Sequence, residues 1–361
     1  MREISIHELL HKEPQKRRAF YCSIWFRDHN NPRMTALLPR LGFLDAFLVR
    51  MPRARIPRGI AFRVVHRARG LWWRAVLSLA SRKYPVLFSN GPEQALYFPG
   101  SVVVDMDDPV YSDKEVKLLN LPNIVRYVVT SEEAARKYAE LGVQKPAVVI
   151  PQGVDLSGWS PEASAALRPH LRTEKETVAV FHAAWLLTRA DSGGDNPLYN
   201  VDLLIAMWQE IRARVPNAIL WLIGRPGPCL QRRIAKDPSI RLLGYIPQRE
   251  LPNYLANADI ALYPRRISHV PRAVKVAEAL ALGLPVVGFD LPVLGDVRES
   301  GGGILVCDER EFIEATVRLL QDQSLRMELS ARARSYGAQL DWDRLAVRYA
   351  TEAFAGLPIE V

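Results

Sequence analysis

The segment HVPRAVKVAEALALGLPVVGFD, residues 269–290, decides the fold assignment. Its second part, ALALGLPVVGFD, is typical of a helix that ends at Gly283 and leads into a buried strand of a parallel sheet. Its first part predicts the start of that helix, directly after the cation-rich loop RRISHVPR (265–272). Lys275 and Glu278 are three residues apart, so they lie on one face of the helix. The segment therefore joins a parallel sheet to a charged helix start.

Strand and helix patterns alternate along the rest of the chain. The apolar runs of the first half that resemble buried strands are AFYCSIWF (19–26), DAFLVRMP (45–52), PVLFSN (85–90), SVVVDMDDP (101–109), VRYVVTS (125–131) and PAVVIPQG (146–153). Those of the second half are TVAVFHAAW (177–185), AILWLIGR (218–225), IRLLGYI (240–246), DIALYP (259–264), LPVVGFD (284–290) and GILVCD (303–308). Helical patterns between such runs predict parallel sheets covered by helices on both faces.

The fold class predicted from this alternation is α/β, with two doubly wound, Rossmann-like domains that face each other across a cleft. We predict an N-terminal domain over 1–160 and a C-terminal domain over 175–340, joined by the polar stretch 155–176. The last segment, 341–361, is predicted as a helix that packs back on the first domain. Ligands of such domains bind beyond the carboxyl ends of the strands.

Composition indicates an ordinary globular protein. The chain has 361 residues, of which 48% are apolar and 24% charged, and this length suits two domains. The three cysteines are scattered, which argues against a disulfide framework or a zinc knuckle and favours a reducing compartment. The polar N-terminus and the lack of an 18-residue apolar run predict a cytoplasmic protein without a membrane span.

The start of the helix that carries Lys275 can be read in two ways. A helix N-terminus presents free N–H groups and favours an anion such as a phosphate, which Lys275 would contact. Glu278 could then accept hydrogen bonds from a ribose diol, as acidic residues do in dinucleotide sites. The alternative is a surface ion pair between the two side chains, worth a few tenths of a kcal/mol.

Two polar segments of the first half also follow predicted strands. The loop RDHNNPR (27–33) is either a plain turn or a binding loop. In VVVDMDDP, Asp105 and Asp107 lie on one face of an extended chain and Asp108 on the other. Carboxylates at the end of a buried strand need solvent, a partner or a ligand. Capping, metal binding and positioning of a substrate hydroxyl all remain open for them.

The second half resembles a known family along most of its length. The segment LYPRRISHVPRAVKVAEALALGLPVVGFDLPVLGDVRESGGGILV (262–306) resembles the donor site of retaining glycosyltransferases of family four, which belong to glycosyl transferases group 1 and have the GT-B fold. The likeness continues in LLIAMWQEIRARVPNAILWLIGRPGP (203–228) and IRLLGYIPQRELPNYLANADIALYP (240–264). In the first half it includes VVTSEEAARKYAELGV (128–143) and VVIPQGVDLSGWSP (148–161).

The resemblance implies specific roles in binding a nucleotide diphosphate sugar. It makes Glu278 the ribose-binding carboxylate and Lys275 a diphosphate contact. The leaving group would be stabilised by Lys275, by Arg189 or an arginine of RRISHVPR, and by the helix N-terminus. The other donor-binding residues that it implies are Arg189, Gly224, Arg225, Tyr245 and Arg266. Two departures concern the donor sugar: Val270 replaces a frequent glutamate, and the segment 185–204 lacks a frequent lysine.

In the resembled fold the first domain binds the acceptor. The acceptor-binding residues implied there are Asp28, His29, Asn31, Arg33 and Asp105. Asp107 or Asp108 would act as the catalytic base, if the reaction uses one. A metal at these carboxylates, of the kind used by the different GT-A fold, is not expected, because a lysine–glutamate donor site favours a metal-independent mechanism.

The formal charge of +9 is concentrated in one segment. Residues 50–83 carry ten arginines and lysines, and no acidic residue lies between Asp45 and Glu93. Helical spacing from 60 to 80 predicts a basic amphipathic helix with Trp73 beside the basic stripe, which fits an anionic membrane surface. The alternatives are a solvated outer helix and, with no supporting motif, nucleic acid; we expect no nucleic-acid partner.

The function predicted from the resemblance is a retaining glycosyltransferase of hexosyltransferase type. It would move a sugar from a UDP- or GDP-sugar to a hydroxyl of a lipid-linked or other glycan precursor, without a further cofactor, as a peripheral protein on the inner face of the membrane. Two alternatives remain: a nucleotide-sugar epimerase of the same fold, and a degenerate, non-catalytic protein that binds nucleotides or partners.

Overall fold

The computed structural model describes residues 2–4, 6–15, 17–23, 32–49, 61–194, 199–267 and 271–360. Within these ranges the chain divides into two units. The first comprises residues 1–151 together with 342–361, and the second comprises residues 152–341. The polar stretch 155–176 therefore lies inside the second unit, where it contains the helix Pro161–Leu171.

The first unit is built on a parallel sheet, because its strands are apolar on both faces. The described strands are β1 (Arg2–Ile4), β2 (Ala19–Ser23), β3 (Leu44–Val49), β4 (Val86–Asn90), β5 (Ser101–Met106), β6 (Ile124–Val129) and β7 (Ala147–Val149). The helices are α1 (Ile6–His11), α2 (Pro32–Leu37), α3 (Ala61–Ala80), α4 (Asp113–Leu119) and α5 (Glu132–Glu140). These strands pair in the order β1-β3-β2-β4-β5-β6-β7, which places the switch in strand order between β2 and β4.

Successive side chains of β5 show how both faces of this sheet are buried. Val102 and Val104 pack with Trp73 of α3 in one apolar cluster. Val103 points the other way and packs with Tyr349 of the C-terminal segment. Alternation along a strand sends neighbouring residues to opposite faces, so a continuous run of valines is needed here.

The second unit repeats the same architecture. Its strands are β8 (Thr177–Leu186), β9 (Ala218–Pro226), β10 (Ile240–Gly244), β11 (Ile260–Tyr263), β12 (Val286–Phe289) and β13 (Gly303–Val306). Its helices are α6 (Pro161–Leu171), α7 (Val201–Arg214), α8 (Pro228–Ile234), α9 (Leu251–Leu255), α10 (Val274–Ala281), α11 (Gly295–Ser300), α12 (Glu309–Gln321) and α13 (Gln323–Gly337). The parallel order is β10-β9-β8-β11-β12-β13, so the strand order switches between β8 and β11.

Ligands of doubly wound sheets bind beyond the carboxyl ends of the strands at such a switch. The helix that follows β11 is α10, which packs its apolar face, including Val276 and Leu280, against the sheet. It ends because Gly283 takes a left-handed conformation, with φ of 75°, in which L side chains are strained. The topology therefore places the start of α10 beside the end of β8.

The C-terminal segment belongs to the first unit. It forms α14 (Trp342–Arg348) and a following π-helical turn, Tyr349–Ala353. Trp342 and Tyr349 are buried in the apolar cluster that includes Val103 and Phe88. This segment supplies one face of the first unit's core.

Two features differ from the sequence predictions. The burial of the two adjacent tryptophans of α3 is the reverse of the prediction. Trp73, predicted beside the basic stripe, is buried in the core, while Trp72 is only partly buried. The prediction was wrong because the buried face of α3 is set by Trp73, Val76, Leu77 and Ala80, one residue out of phase with the predicted face. The helix α13 was not predicted at all, and its polar residues are mostly exposed.

Candidate functional site

The N-terminus of α10 is open to an anion. Ala273 occupies the N-cap position, no side chain of the described residues caps the free N–H groups, and the first turn holds no acidic residue. Uncapped N–H groups and the positive end of the helix dipole favour a negative charge at this point.

The helix α8 of the same unit shows the opposite arrangement. The Asp191 carboxylate accepts hydrogen bonds from the backbone N–H groups of Cys229 and Leu230, at 2.8 and 3.3 Å. Although burial opposes it, hydrogen bonding from Thr188 and Cys229 lowers the pKa of Asp191 to about 2. The start of α8 is thus neutralised by Asp191, whereas no described carboxylate caps the start of α10.

Lys275, in the first turn of α10, contacts an aromatic side chain. Its Nζ donates to the Tyr199 hydroxyl at 2.9 Å and lies 4.9 Å from the centre of the Tyr199 ring. The guanidinium of Arg265 lies 5.8 Å from the same ring centre. Two cations therefore flank one tyrosine at the carboxyl end of β11.

These two cations differ from their neighbours in having no carboxylate partner among the described residues. Arg266 pairs with Glu309, and Arg272 pairs with Glu299 and Asp296. Arg265 is almost fully buried, and its Nε donates to the carbonyl of Ile267. A buried positive charge without a counter-charge is costly. The site is therefore prepared for an anionic ligand.

Glu278 is held by two side chains from other elements. Nε2 of His182, which belongs to β8, lies 2.9 Å from Glu278 Oε2. The side-chain amide of Gln248 donates to Glu278 Oε1. The exposed fractions of His182 and Glu278 are 8% and 6%. Within the described residues Lys275 and Glu278 do not pair with each other, so the surface ion pair considered from their spacing is not formed.

The ends of β8 and β9 approach closely near this site. Gly224 has φ of 146°, and a Cβ there would lie 2.0 Å from the carbonyl oxygen of Ala183, so only glycine fits. The next residue, Arg225, stacks on two exposed rings, at 3.9 Å from the centre of Tyr245 and 5.4 Å from Trp185. Flat surfaces of this kind suit a planar ring.

Arg189 and Arg266 have other contacts in this structure. The Arg189 backbone N–H donates to Asp202, and its Nε donates to the Gly194 carbonyl at 3.1 Å. The Arg266 guanidinium lies 4.7 Å from the centre of the Phe289 ring, in addition to its pairing with Glu309. Their roles in donor binding stay predictions.

In the first unit, two of the predicted acceptor residues pair with each other. Arg33 Nε donates to Asp105 Oδ1 at 3.1 Å, and the exposed fractions are 1% and 0%. Arg33 also donates to the carbonyls of Ile150 and Pro151 and to the Tyr349 hydroxyl, at 3.2, 3.1 and 2.6 Å. Tyr349 in turn donates to Asp105. These contacts hold both side chains within the core of the first unit.

Asp107 and Asp108 lie just beyond β5, where Asp107 is partly buried and Asp108 exposed. The described residues contain no group of three or more His, Cys, Asp or Glu side chains arranged for a metal ion. The predicted acceptor residues Asp28, His29 and Asn31, and the departure at Val270, lie outside the described residues. Among the helices that the structure describes, none has the length and apolar character to cross a bilayer.

Three residues near Lys275 and Glu278 were not predicted: His182, Tyr199 and Gln248. Arg265 was predicted only as one of the arginines of the loop 265–272, any of which could stabilise the leaving group. His182 carried a usable signal, since it is a polar residue inside the apolar run TVAVFHAAW. Arg265 was one of three arginines in a single loop, and the sequence did not show that the others would meet carboxylates. Tyr199 and Gln248 reach the site from loops, so periodicity could not indicate them.

Parts of this chain are similar to known glycosyltransferases. Residues 193–322 match the family described as "Glycosyl transferases group 1". O-antigen chain mannosyltransferase B of Escherichia coli is 26% identical over 178 residues, which are 45% of this chain and 44% of that protein. The match thus spans less than half of the relative's length.

Two solved structures are similar over nearly the whole chain. HepE of Anabaena, in complex with UDP, is 15% identical, with 92% of this chain and 98% of that chain covered and a TM-score of 0.70. WaaG, a glycosyltransferase involved in lipopolysaccharide biosynthesis, is 14% identical, with 94% and 100% covered and a TM-score of 0.64. These likenesses confirm the predicted GT-B fold. The region that resembles the group 1 glycosyltransferases, residues 193–322, lies in the second unit.

Proposed function

We propose that this protein transfers a sugar from a nucleotide diphosphate sugar to a hydroxyl acceptor. The observation that carries the proposal is the uncapped start of α10, flanked by Lys275 and Arg265 and followed on the same helix by Glu278. The diphosphate binds at the helix start, and Glu278 accepts hydrogen bonds from the ribose.

The same residues account for the chemistry. The bond between the anomeric carbon and the diphosphate oxygen breaks, the acceptor oxygen bonds to that carbon, and the nucleoside diphosphate leaves. Negative charge develops on the departing oxygen, and Lys275, Arg265 and the free N–H groups of α10 stabilise it. The acceptor loses its proton to a carboxylate, for which Asp107 and Asp108 are the candidates. The family resemblance supports retained configuration.

Donor and acceptor classes are proposed from the relatives. HepE was also solved with UDP-glucose, which supports a UDP-sugar, and the E. coli relative is a mannosyltransferase, which leaves a GDP-sugar equally open. The O-antigen and lipopolysaccharide contexts of the relatives support a glycan or lipid-linked acceptor at the cytoplasmic face of a membrane. The proposal requires no further cofactor.

A thermal-shift screen tests the donor site. UDP, GDP, ADP, dTDP and CDP are added in turn to the wild-type protein, to Lys275→Ala and to a control, Lys236→Ala, whose lysine is exposed on the same unit. A ligand at 100 times its Kd stabilises the folded state by about 2.7 kcal/mol, which raises the Tm by several degrees. We expect one nucleotide to shift the wild type and Lys236→Ala, and to lose that shift in Lys275→Ala.

Two outcomes would contradict the proposal. If no nucleotide shifts the wild type, a degenerate, partner-binding protein becomes the better account. If the bound nucleotide sugar is converted to an epimer or to free sugar with equal rate in the absence and presence of acceptor, the protein is an epimerase. Release of nucleoside diphosphate that depends on an added glycan acceptor supports the transferase.

The contact with an anionic membrane is a finer proposal. Within the described part of the basic segment, Leu71, Arg74 and Arg82 are exposed, while the side chains of 61–70 lie outside the described residues. Exposed cations near an anionic surface contribute about 1 kcal/mol each. We expect the protein to float with phosphatidylglycerol vesicles at low salt, and Arg74→Glu to float less than Lys236→Glu. Protein that stays with the soluble fraction would contradict this part of the proposal.

A further inference from the structure

We infer that His182 is a positioning residue of the donor site, which fixes the Glu278 carboxylate so that one of its oxygens can select a ribose. The inference rests on the proposed function, because it concerns how the proposed ribose-binding carboxylate is held. His182 is absent from the residues that the family resemblance implies.

The two oxygens of Glu278 have different partners. Oε2 lies 2.9 Å from Nε2 of His182, which belongs to β8, and Oε1 accepts from Gln248, which belongs to the loop between β10 and α9. Both partners come from elements other than α10. The orientation of the carboxylate is therefore set by the sheet and by a loop, not by the helix that carries it.

Burial distinguishes the two partners. His182 is 8% exposed and is paired with Ile223 in the strand register between β8 and β9. Gln248 is an exposed residue whose long side chain reaches inward to Glu278. A ligand that arrives from solvent can displace the glutamine amide without moving the backbone, whereas the His182 ring is nearly buried and is not reached from solvent in the same way. The ribose therefore replaces Gln248 at Oε1, and His182 remains on Oε2.

This arrangement makes the ribose hydroxyls a requirement for tight binding. Displacing Gln248 removes a hydrogen bond from a nearly buried carboxylate, and only a ligand with hydroxyl donors restores it. A nucleotide without the diol leaves Oε1 without a donor. If His182 is removed, the carboxylate can turn toward either side, and the fixed direction that recognises the diol is lost.

The test measures the Kd of UDP and GDP against their 2′,3′-dideoxy counterparts by isothermal titration calorimetry at pH 7.5. Three proteins are compared: the wild type, His182→Leu, which removes the hydrogen-bonding ring, and His182→Gln, which keeps an N–H donor. We expect the wild type to favour the ribonucleotide by about 10- to 100-fold, the range that hydrogen bonds to a charged group provide. We expect His182→Leu to reduce the preference to about threefold or less, and His182→Gln to retain most of it.

The dideoxy nucleotide is the internal control for folding. Its Kd should stay within about twofold of wild type in His182→Leu, since only recognition of the diol is affected. Equal weakening of both nucleotides would show a merely structural role and overturn the inference. An unchanged preference in His182→Leu would overturn it as well, while the proposed donor site would stand. If wild type binds none of the five nucleoside diphosphates of the thermal-shift screen, the proposed function fails first and the inference fails with it.

Discussion

Two buried carboxylates, one in each unit, are satisfied in different ways. Asp105 of the first unit is paired with Arg33 and accepts from Tyr349, and all three side chains are almost fully buried. Glu278 of the second unit meets no arginine or lysine among the described residues. It is held by His182 and by the exposed residue Gln248.

The difference indicates which carboxylate is available to a ligand. A buried ion pair with complete hydrogen bonding cannot give up a partner without leaving a charge unpaired. A carboxylate held by side-chain amide and imidazole groups can exchange one of them for a hydroxyl at small cost. We therefore propose that Asp105 stabilises the fold and that Glu278 binds a ligand, although each belongs to a unit built on a parallel sheet.

The largest expected effect is on the stability of the first unit. Arg33→Met removes the Arg33 guanidinium from the buried Asp105 carboxylate and removes the donor to the carbonyls of Ile150 and Pro151. Loss of one partner of a buried pair costs about 3–5 kcal/mol. We expect urea unfolding to show a loss of this size in the free energy of unfolding.

Arg40→Met is the matched control, because Arg40 pairs with Asp343, which is largely exposed, in the same unit. Surface pairs contribute about 0–1 kcal/mol. Equal losses of unfolding free energy in Arg33→Met and Arg40→Met would show that the buried ion pair stabilises the fold no more than a surface pair does. The contrast drawn between Asp105 and Glu278 would then be wrong.

A smaller effect on the free energy of unfolding is expected at Asp296, a second buried carboxylate. It is fully buried, its Oδ2 has no hydrogen-bond partner among the described residues, and Arg272, Tyr336 and Glu299 surround it. Burial raises the pKa of Asp296 to about 6, although Arg272 and Tyr336 lower it. Because the folded state holds this proton more tightly than the unfolded state, its contribution is present below pH 3.8 and lost as the pH rises through about 6.

Asp296→Asn removes this titration. From pH 4.5 to 7.5 we expect the stability of the variant to rise relative to wild type by about 2 kcal/mol. The measurement is urea unfolding of both proteins across this pH range, with Asp290→Asn as control, since Asp290 is half-exposed and pairs with Arg298. A difference between Asp296→Asn and wild type that is flat with pH would contradict the raised pKa.

The smallest stability effect is expected at Glu278 itself. Glu278→Gln leaves an amide of the same shape between His182 and Gln248, and the imidazole can present either a donor or an acceptor. We expect the free energy of unfolding to change by about 1 kcal/mol or less. A loss as large as that of Arg33→Met would show that Glu278 holds the fold together, as Asp105 does.

The sequence predicted the fold well because its strongest signals are local. Runs such as VVVD and AILWLI, separated by helical periodicity, specify parallel sheets without knowledge of distant contacts. The end of α10 at Gly283 followed from the same kind of signal. Trp72 and Trp73 show how far such local patterns can be trusted for individual side chains. A one-residue phase error in a helical pattern exchanges a core residue with a surface residue.

The site was predicted less completely, because its residues meet through contacts that are distant in sequence. Lys275 and Glu278 were identified as one motif, yet Lys275 turns to Tyr199 and Glu278 to His182, 76 and 96 residues away. Arg33 and Asp105 were assigned to an acceptor site separately, since nothing in the two segments shows that they pair across 72 residues. Polar residues at strand ends indicate the edge of a sheet at which a ligand could bind. They do not show which of these residues already have hydrogen-bond or ion-pair partners within the protein.

The most direct test of the account is the affinity of Glu278→Gln and Arg33→Met for the nucleoside diphosphate selected by the thermal-shift screen. Titration calorimetry is performed at a temperature at which both variants are folded. We predict that Glu278→Gln binds about 10- to 100-fold more weakly than wild type, whereas Arg33→Met binds within about twofold of it. Wild-type affinity in Glu278→Gln, or loss of binding in Arg33→Met, would contradict the assignment of the donor site to the second unit.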